Sequence, residues 1–180
     1  RFDFTIGADS SLRAAVVLDG ARVAGASVSL FTDLGQFISA TAFEEDEGVL
    51  YSQPLEAGEY YLLVDPAGPF TGDVYVTANA VADIVAAGSI GTPEEAEVTV
   101  SGQNYRLQFS GSIGIDISDS DFEALDIRVV APSGAPIGWF WLSSSSDYFP
   151  GVELPSTGQY EIWLMPMGGT GSATVEVLLE

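Results

Sequence analysis

Apolar and polar residues alternate almost one for one along much of this chain. Tyr60, Leu62 and Val64 interleave with Glu59, Tyr61 and Leu63, and Tyr160, Ile162 and Leu164 interleave with Gln159, Glu161 and Trp163. A period of two belongs to a pleated strand, whose successive side chains leave on opposite faces. No segment keeps a 3.6-residue apolar period for three turns. Short runs punctuated by Gly, Pro, Asp and Ser every 8 to 12 residues or so predict an all-β protein built of antiparallel sandwiches.

The pattern is written twice. Setting Val28 on Ile127 aligns Ala26 to Ile38 with Leu125 to Ile137 and brings Gly35 onto Gly134. After a slip of one residue, Gly58, Tyr60, Pro66 and Gly68 meet Gly158, Tyr160, Pro166 and Gly168, and Gly72 then meets Gly171. Upstream, the stretch from Phe2 to Thr5 matches Tyr105 to Gln108. A repeat of this size makes one supersecondary unit per copy. The expected organisation is therefore two tandem antiparallel β-sandwiches, residues 1–80 and 96–180, joined by a linker at 81–95. A short strand from Glu97 to Val100 opens the second copy and has no counterpart in the first, which predicts an unpaired edge in module one.

These residues resemble the bacterial pre-peptidase C-terminal domain family. The likeness rests on the aromatic opening strands Phe2-Asp-Phe4 and Tyr105-Arg-Leu107, the central strand Ala124 to Gly134, and the closing hairpins Ala57 to Val76 and Thr157 to Val177. Module one departs from the pattern, with Ser27 where module two has Asp126. The resemblance implies a jelly-roll-like sandwich, export from the cell, and a supporting role without shared catalytic residues.

Composition narrows the chemistry. The 180 residues are 47% hydrophobic and 17% charged, which suits a packed core rather than a disordered acidic chain. Asp and Glu number 26 against five arginines, with no Lys, for a net charge of −21. Such a surface repels nucleic acid and anionic lipid, and no apolar stretch is long enough for a membrane-spanning helix. The acidity fits solubility in a salty medium, or cation binding. Cysteine is absent, which removes disulfides and thiolate metal sites. The start at Arg1, the Gly-rich turns and the missing Lys read as an exported, extracellular or cell-surface protein.

Without His, Lys or Cys, the chain has no Ser–His, Ser–Lys or Cys nucleophile system. Paired carboxylates are not placed across any recognisable cleft, so the expectation is a non-enzyme. The candidate metal ligands are Asp116, Asp119, Asp121, Glu123 and Asp126, hard oxygen donors at the short spacing calcium accepts, though without the EF-hand pattern. A plain solvated loop gives the same spacing. The acidic run Glu44 to Glu47 aligns with serines 143 to 146, which reads as an exposed loop. Trp139 and Trp141 share one strand face with Phe140 on the other, and Trp163 opposes Ile162 and Leu164. These tryptophans either fill the core or form an exposed face for a sugar or another subunit.

Two functions fit. One is a structural subunit that assembles with copies of itself into a filament or layer. Strand addition is its expected route, with Phe2, Phe4, Ile6, Val175 and Val177 as candidate exchanging residues. The other is an accessory module of an exported enzyme that binds polysaccharide or protein.

Overall fold

Alternation in the sequence becomes alternation in burial. In a computed structural model, which describes residues 1–7, 10–20, 25–110, 113–152, 154 and 158–178, the chain divides into two units, Arg1–Ala82 and Asp83–Glu180. The described residues form strands and no helix, so none offers a helix long and apolar enough to cross a membrane.

The described residues of module one form seven strands: β1 (Phe2–Ile6), β2 (Ser10–Gly20), β3 (Ala26–Thr32), β4 (Phe37–Phe43), β5 (Glu47–Tyr51), β6 (Gly58–Pro66) and β7 (Gly72–Ala82). They form two antiparallel sheets, ordered β1-β6-β3-β4 and β5-β2-β7. The inward side chains, among them Leu12, Val16, Val28, Leu30, Leu50 and Leu62, make one core between them.

The described residues of module two form nine: β8 (Ile84–Ala87), β9 (Glu94–Val98), β10 (Tyr105–Phe109), β11 (Ile113–Ser118), β12 (Leu125–Val130), β13 (Pro136–Leu142), β14 (Asp147–Val152), β15 (Tyr160–Pro166) and β16 (Gly171–Leu178). One sheet runs β13-β12-β15-β10-β8 and the other β14-β11-β16-β9. Strands β9 to β16 have the order of a complete eight-stranded jelly roll, and β8 adds a parallel strand to β10. Its core includes Leu107, Ile115, Ile117, Ile127, Leu164 and Val175. The segment read from sequence as linker thus carries β8 and the first residues of β9, and the boundary falls after Ala82. Ile84 and Ala86 pack on the second core, which explains why this stretch is ordered as strand.

The described residues of module one repeat the same winding from the second strand onward. Its β1 to β7 correspond to β10 to β16, and nothing among the described residues stands where β9 stands. Among the described residues, β1 and β7 are the two edge strands whose module-two equivalents have a further neighbour, β8 beside β10 and β9 beside β16.

Register refines the repeat. Val28 lies opposite Val64 and Ile127 opposite Leu164, so the central match holds. In the opening strand, Phe4 is opposite Tyr60 and Phe109 is opposite Tyr160. Ring stacking agrees, at 6.2 Å between centroids for Phe4 and Tyr60 and 6.0 Å for Phe109 and Tyr160. Phe2 and Phe4 therefore take the places of Leu107 and Phe109, two residues beyond the sequence match. A two-residue shift keeps the same face inward, which is why alternation alone did not detect it.

Gly35 and Gly134 repeat down to the backbone, both at φ 82 in the turns after β3 and β12. Side chains rarely adopt that angle, so Gly134→Ala is expected to destabilise module two by about 1 kcal/mol even though nothing lies near its absent Cβ. Urea unfolding of the variant is the check, and an unchanged midpoint would contradict the strain argument.

Candidate functional site

The outer face of the sheet β13-β12-β15-β10-β8 collects side chains that the core does not use. Because alternate residues point outward, β13 presents Trp139 and Trp141, β12 Asp126 and Arg128, β15 Glu161 and Trp163, and β10 Arg106 and Gln108. Pairing sets them in rows. Trp139 lies opposite Arg128, Arg128 opposite Trp163, and Trp163 opposite Arg106, so one row reads Trp139, Arg128, Trp163, Arg106 across four strands. Trp141 and Asp126 form the neighbouring row on one side, and Glu161 and Gln108 the row on the other. Trp139 and Trp163 are two strand spacings apart, roughly 10 Å.

Arginine is placed with the same economy. Only Arg106 and Arg128 are cationic after residue 82, and both stand in this row. Each is held by a carboxylate. The Arg106 guanidinium donates to both oxygens of Glu161, with Nη2 at 2.9 Å from each and Nε at 3.0 Å from Oε2. Arg128 Nη2 donates to Asp126 Oδ2 at 2.9 Å. Forked pairs of this kind fix the plane of the guanidinium and its remaining donors.

Glu161 gathers further donors: the Trp163 indole N–H at 2.6 Å and the Gln108 amide at 3.1 Å. Gln159 in turn donates to the Gln108 carbonyl oxygen at 2.8 Å. Burial alone would raise the Glu161 carboxyl above the usual range. The hydrogen bonds from Trp163, Gln108 and Arg106, with the Arg106 charge, outweigh it and leave the group lowered. A lowered carboxyl stabilises the fold fully above its unfolded-state value, and that contribution is lost as pH falls through the folded-state value. Wild-type stability is thus expected to fall more steeply than that of Glu161→Gln on acidification below the ordinary glutamate range. Parallel urea titrations at descending pH would show it, and parallel curves would refute it.

The tryptophans read from sequence as a candidate face fall on this one surface. Trp139 is 71% exposed and Trp141 50%, while Trp163 is half-buried beneath its polar neighbours. Phe140 points the other way, onto Phe149 at 4.8 Å between ring centroids. Arg106, Gln108, Arg128 and Glu161 were not among the sequence candidates. The signal was present in Tyr105-Arg-Leu-Gln-Phe and Leu125-Asp-Ile-Arg-Val, whose polar members share one parity.

The carboxylates considered for calcium do not converge. Asp116 lies on the outer face of the β14-β11-β16-β9 sheet, opposite Tyr148 and Glu176, whereas Asp126 lies on the other sheet and pairs with Arg128. Asp121 accepts from the Ser172 backbone N–H at 2.6 Å, and Asp119 sits in the loop between, at φ 51. Glu123 is exposed in the same loop. Among the described residues no group of three or more acidic side chains is placed to share an ion. Asp116 and Asp126 were carried apart because the strands flanking the loop enter opposite sheets, while Asp119, Asp121 and Glu123 stay in the loop between them.

The strand-exchange candidates divide as well. Val175 and Val177 are buried in β16, hydrogen-bonded to β11 on one side, with β9 reaching Val175 on the other, so they are core rather than a free donor strand. Phe2, Phe4 and Ile6 form β1, paired with β6 and open on its outer edge within the module. On the equivalent sheet of module one the outer face is also aromatic but differently composed. Arg1 lies 3.8 Å over the Tyr61 ring, Phe31 stacks on Tyr61 at 5.1 Å, and Phe37 meets Phe31 edge-on at 5.8 Å.

No protein-family model matches the chain, and no curated protein matches it. Among solved structures it is similar to dimeric latent PorU from Porphyromonas gingivalis, at 12% identity and a TM-score of 0.27, over 96% of this chain and 17% of that one. It is also similar to the N-terminal CBM22-1-CBM22-2 tandem domain of Xyn10C from Paenibacillus barcinonensis, at 10% identity and a TM-score of 0.24, over 99% of this chain and 75% of that one. The chain spans about a sixth of the length of the PorU chain.

Proposed function

We propose that the chain is a non-catalytic, exported accessory module that binds a neutral polysaccharide on the outer face of the β13-β12-β15-β10-β8 sheet. The observation that carries this is the row Trp139, Arg128, Trp163, Arg106, with Trp141 beside it. Pyranose rings present C–H faces that pack on aromatic planes, and hydroxyls at their rims that pair with guanidinium and carboxylate groups. The face offers both kinds of group, and the Arg106–Glu161 and Arg128–Asp126 pairs make it locally neutral on a chain of charge −21. A polyanionic sugar would meet the surrounding field unfavourably. An open sheet face, rather than a closed pocket, suits the middle of an extended polymer.

The test is a titration of the full chain with a panel of soluble neutral polysaccharides and one polyanionic one, read by tryptophan fluorescence and calorimetry. Saturable binding to a neutral member with a change in tryptophan emission supports the reading, and no binding across the panel sinks it. The self-assembling subunit is the second reading, favoured by the β1 and β7 edges, which lack among the described residues the neighbours their module-two equivalents have. Growth of particles much larger than a monomer, in the absence of any glycan, would select it instead.

A further inference from the structure

The row of side chains on the outer face of the β13-β12-β15-β10-β8 sheet is longer than four residues, and it has a period. Parallel pairing of β8 with β10 sets Val85 beside Arg106. Val85 is exposed on that face, because Ile84 and Ala86 on either side of it pack on the core. Across five strands the row therefore reads Trp139, Arg128, Trp163, Arg106, Val85. Apolar and cationic side chains alternate, one per strand, and the pattern repeats every two strands, roughly 10 Å.

The floor of this face is flat and already fixed. The Arg106 and Glu161 side chains are only 15% and 17% exposed, and their ion pair holds them down along the sheet. Arg128 and Asp126 are held in the same way, and the Trp163 indole is tied to Glu161. Groups restrained like this lose little rotamer freedom when a ligand arrives.

A polymer that matches such a floor has to repeat along the same line. Where pyranose rings are joined through equatorial bonds at C1 and C4, each ring is flipped by half a turn from the one before, and the chain is a flat ribbon. One ring spans about one strand spacing, and every second ring returns the same C–H face to the same side. Laid across the strands, the ribbon places alternate rings on Trp139, Trp163 and Val85. The rings between them bring their rim hydroxyls to Arg128 and Arg106. A 1,4-linked chain with an axial bond at C1, or a 1,3-linked one, coils instead. Its ring faces turn away from a flat floor, so it does not meet Trp139 and Trp163 together.

We infer that the ligand of this face is a flat, equatorially 1,4-linked neutral glycan that crosses β13, β12, β15, β10 and β8 with one ring on each strand. The inference rests on the reading of this face as a glycan site, and adds the linkage, the direction and the length of chain recognised.

The experiment titrates the full chain by calorimetry with four hexasaccharides. Cellohexaose and β-1,4-mannohexaose are ribbons, and maltohexaose and laminarihexaose coil. Cellohexaose and maltohexaose are built of the same sugar and differ only in linkage. The better ribbon is expected to bind at least about tenfold tighter than either coiled chain. Its shorter homologues should gain affinity ring by ring until all five strands are spanned. The inference is overturned, with the glycan reading left standing, if a coiled hexasaccharide comes within that tenfold margin or if affinity levels off before the fourth ring. It is overturned likewise if none of the four binds while a neutral polysaccharide from the larger panel does. Silence from the whole panel removes the glycan reading itself, and this inference with it.

Discussion

Replacing Trp139 and Trp163 together by Ala is expected to abolish the polysaccharide binding proposed for this face while leaving the fold intact. The two rings flank Arg128 in one row, about the length of a disaccharide apart, so one sugar chain lying across the strands would meet both. Large aromatic anchors at the centre of a contact typically cost 2 kcal/mol or more when truncated, about thirtyfold in affinity for each. Trp139 should separate most cleanly from stability because it is 71% exposed and packs on little of the protein itself. Trp163 also donates to Glu161, so Trp163→Phe supplies a control that keeps a ring and removes the N–H. Calorimetry with the bound polysaccharide, alongside circular dichroism and urea unfolding, makes the comparison. Unchanged affinity in the double variant would show that the sugar binds elsewhere and would remove the main argument for this face.

Leu107→Ala is expected to destabilise module two by about 2–5 kcal/mol, while Phe2→Ala in module one costs clearly less. The two positions are equivalent in register, Leu107 opposite Ile162 and Phe2 opposite Leu62. Their surroundings differ. Leu107 is fully enclosed, in part because β8 runs along its strand, whereas Phe2 is 36% exposed on an edge with no such cover. A cavity forms only where neighbours cannot collapse into the space, and a side chain already facing water leaves little cavity behind. Denaturant unfolding of each variant should shift one of two transitions, with Leu107→Ala acting on the module that contains it. Equal losses from the two substitutions would mean that the edge of module one is covered in solution, and would itself point to an occupant.

The reach of the sequence differs from one element to another. Period-two alternation was enough for the strands of the matched segments, such as β3, β6, β12 and β15, because one face of each must meet a core and the other must not. Strands β2, β5 and β11 were not read, the last two because the acidic runs that overlap them read as loop. The shared turn glycines were legible too, since Gly35 and Gly134 sit at the same positive φ for the same steric reason. The opening strand was misplaced by two residues because alternation is blind to even shifts, and only pairing with Tyr60 and Tyr160 resolved it. The stretch from 81 to 95 read as linker because β8 is four residues long and weakly patterned, and its order comes from the strand beside it rather than from its own composition.

For the candidate site, sequence supplied the parts and topology supplied the arrangement. That Trp139 and Trp141 share a face follows from their spacing alone. That Trp163, Arg106 and Arg128 join them does not, because those residues come from strands far apart in sequence and meet only through the order β13-β12-β15-β10. The acidic loop is the converse case. Asp116 and Asp126 are near in sequence, yet the chain crosses between sheets from β11 to β12 and carries them to opposite outer faces. What the sequence by itself determined was therefore local: the strands of the matched segments, their inward and outward parity, and the duplication. Which outward residues stand side by side was decided by tertiary structure, because in a jelly roll hydrogen-bonded neighbours are for the most part not chain neighbours.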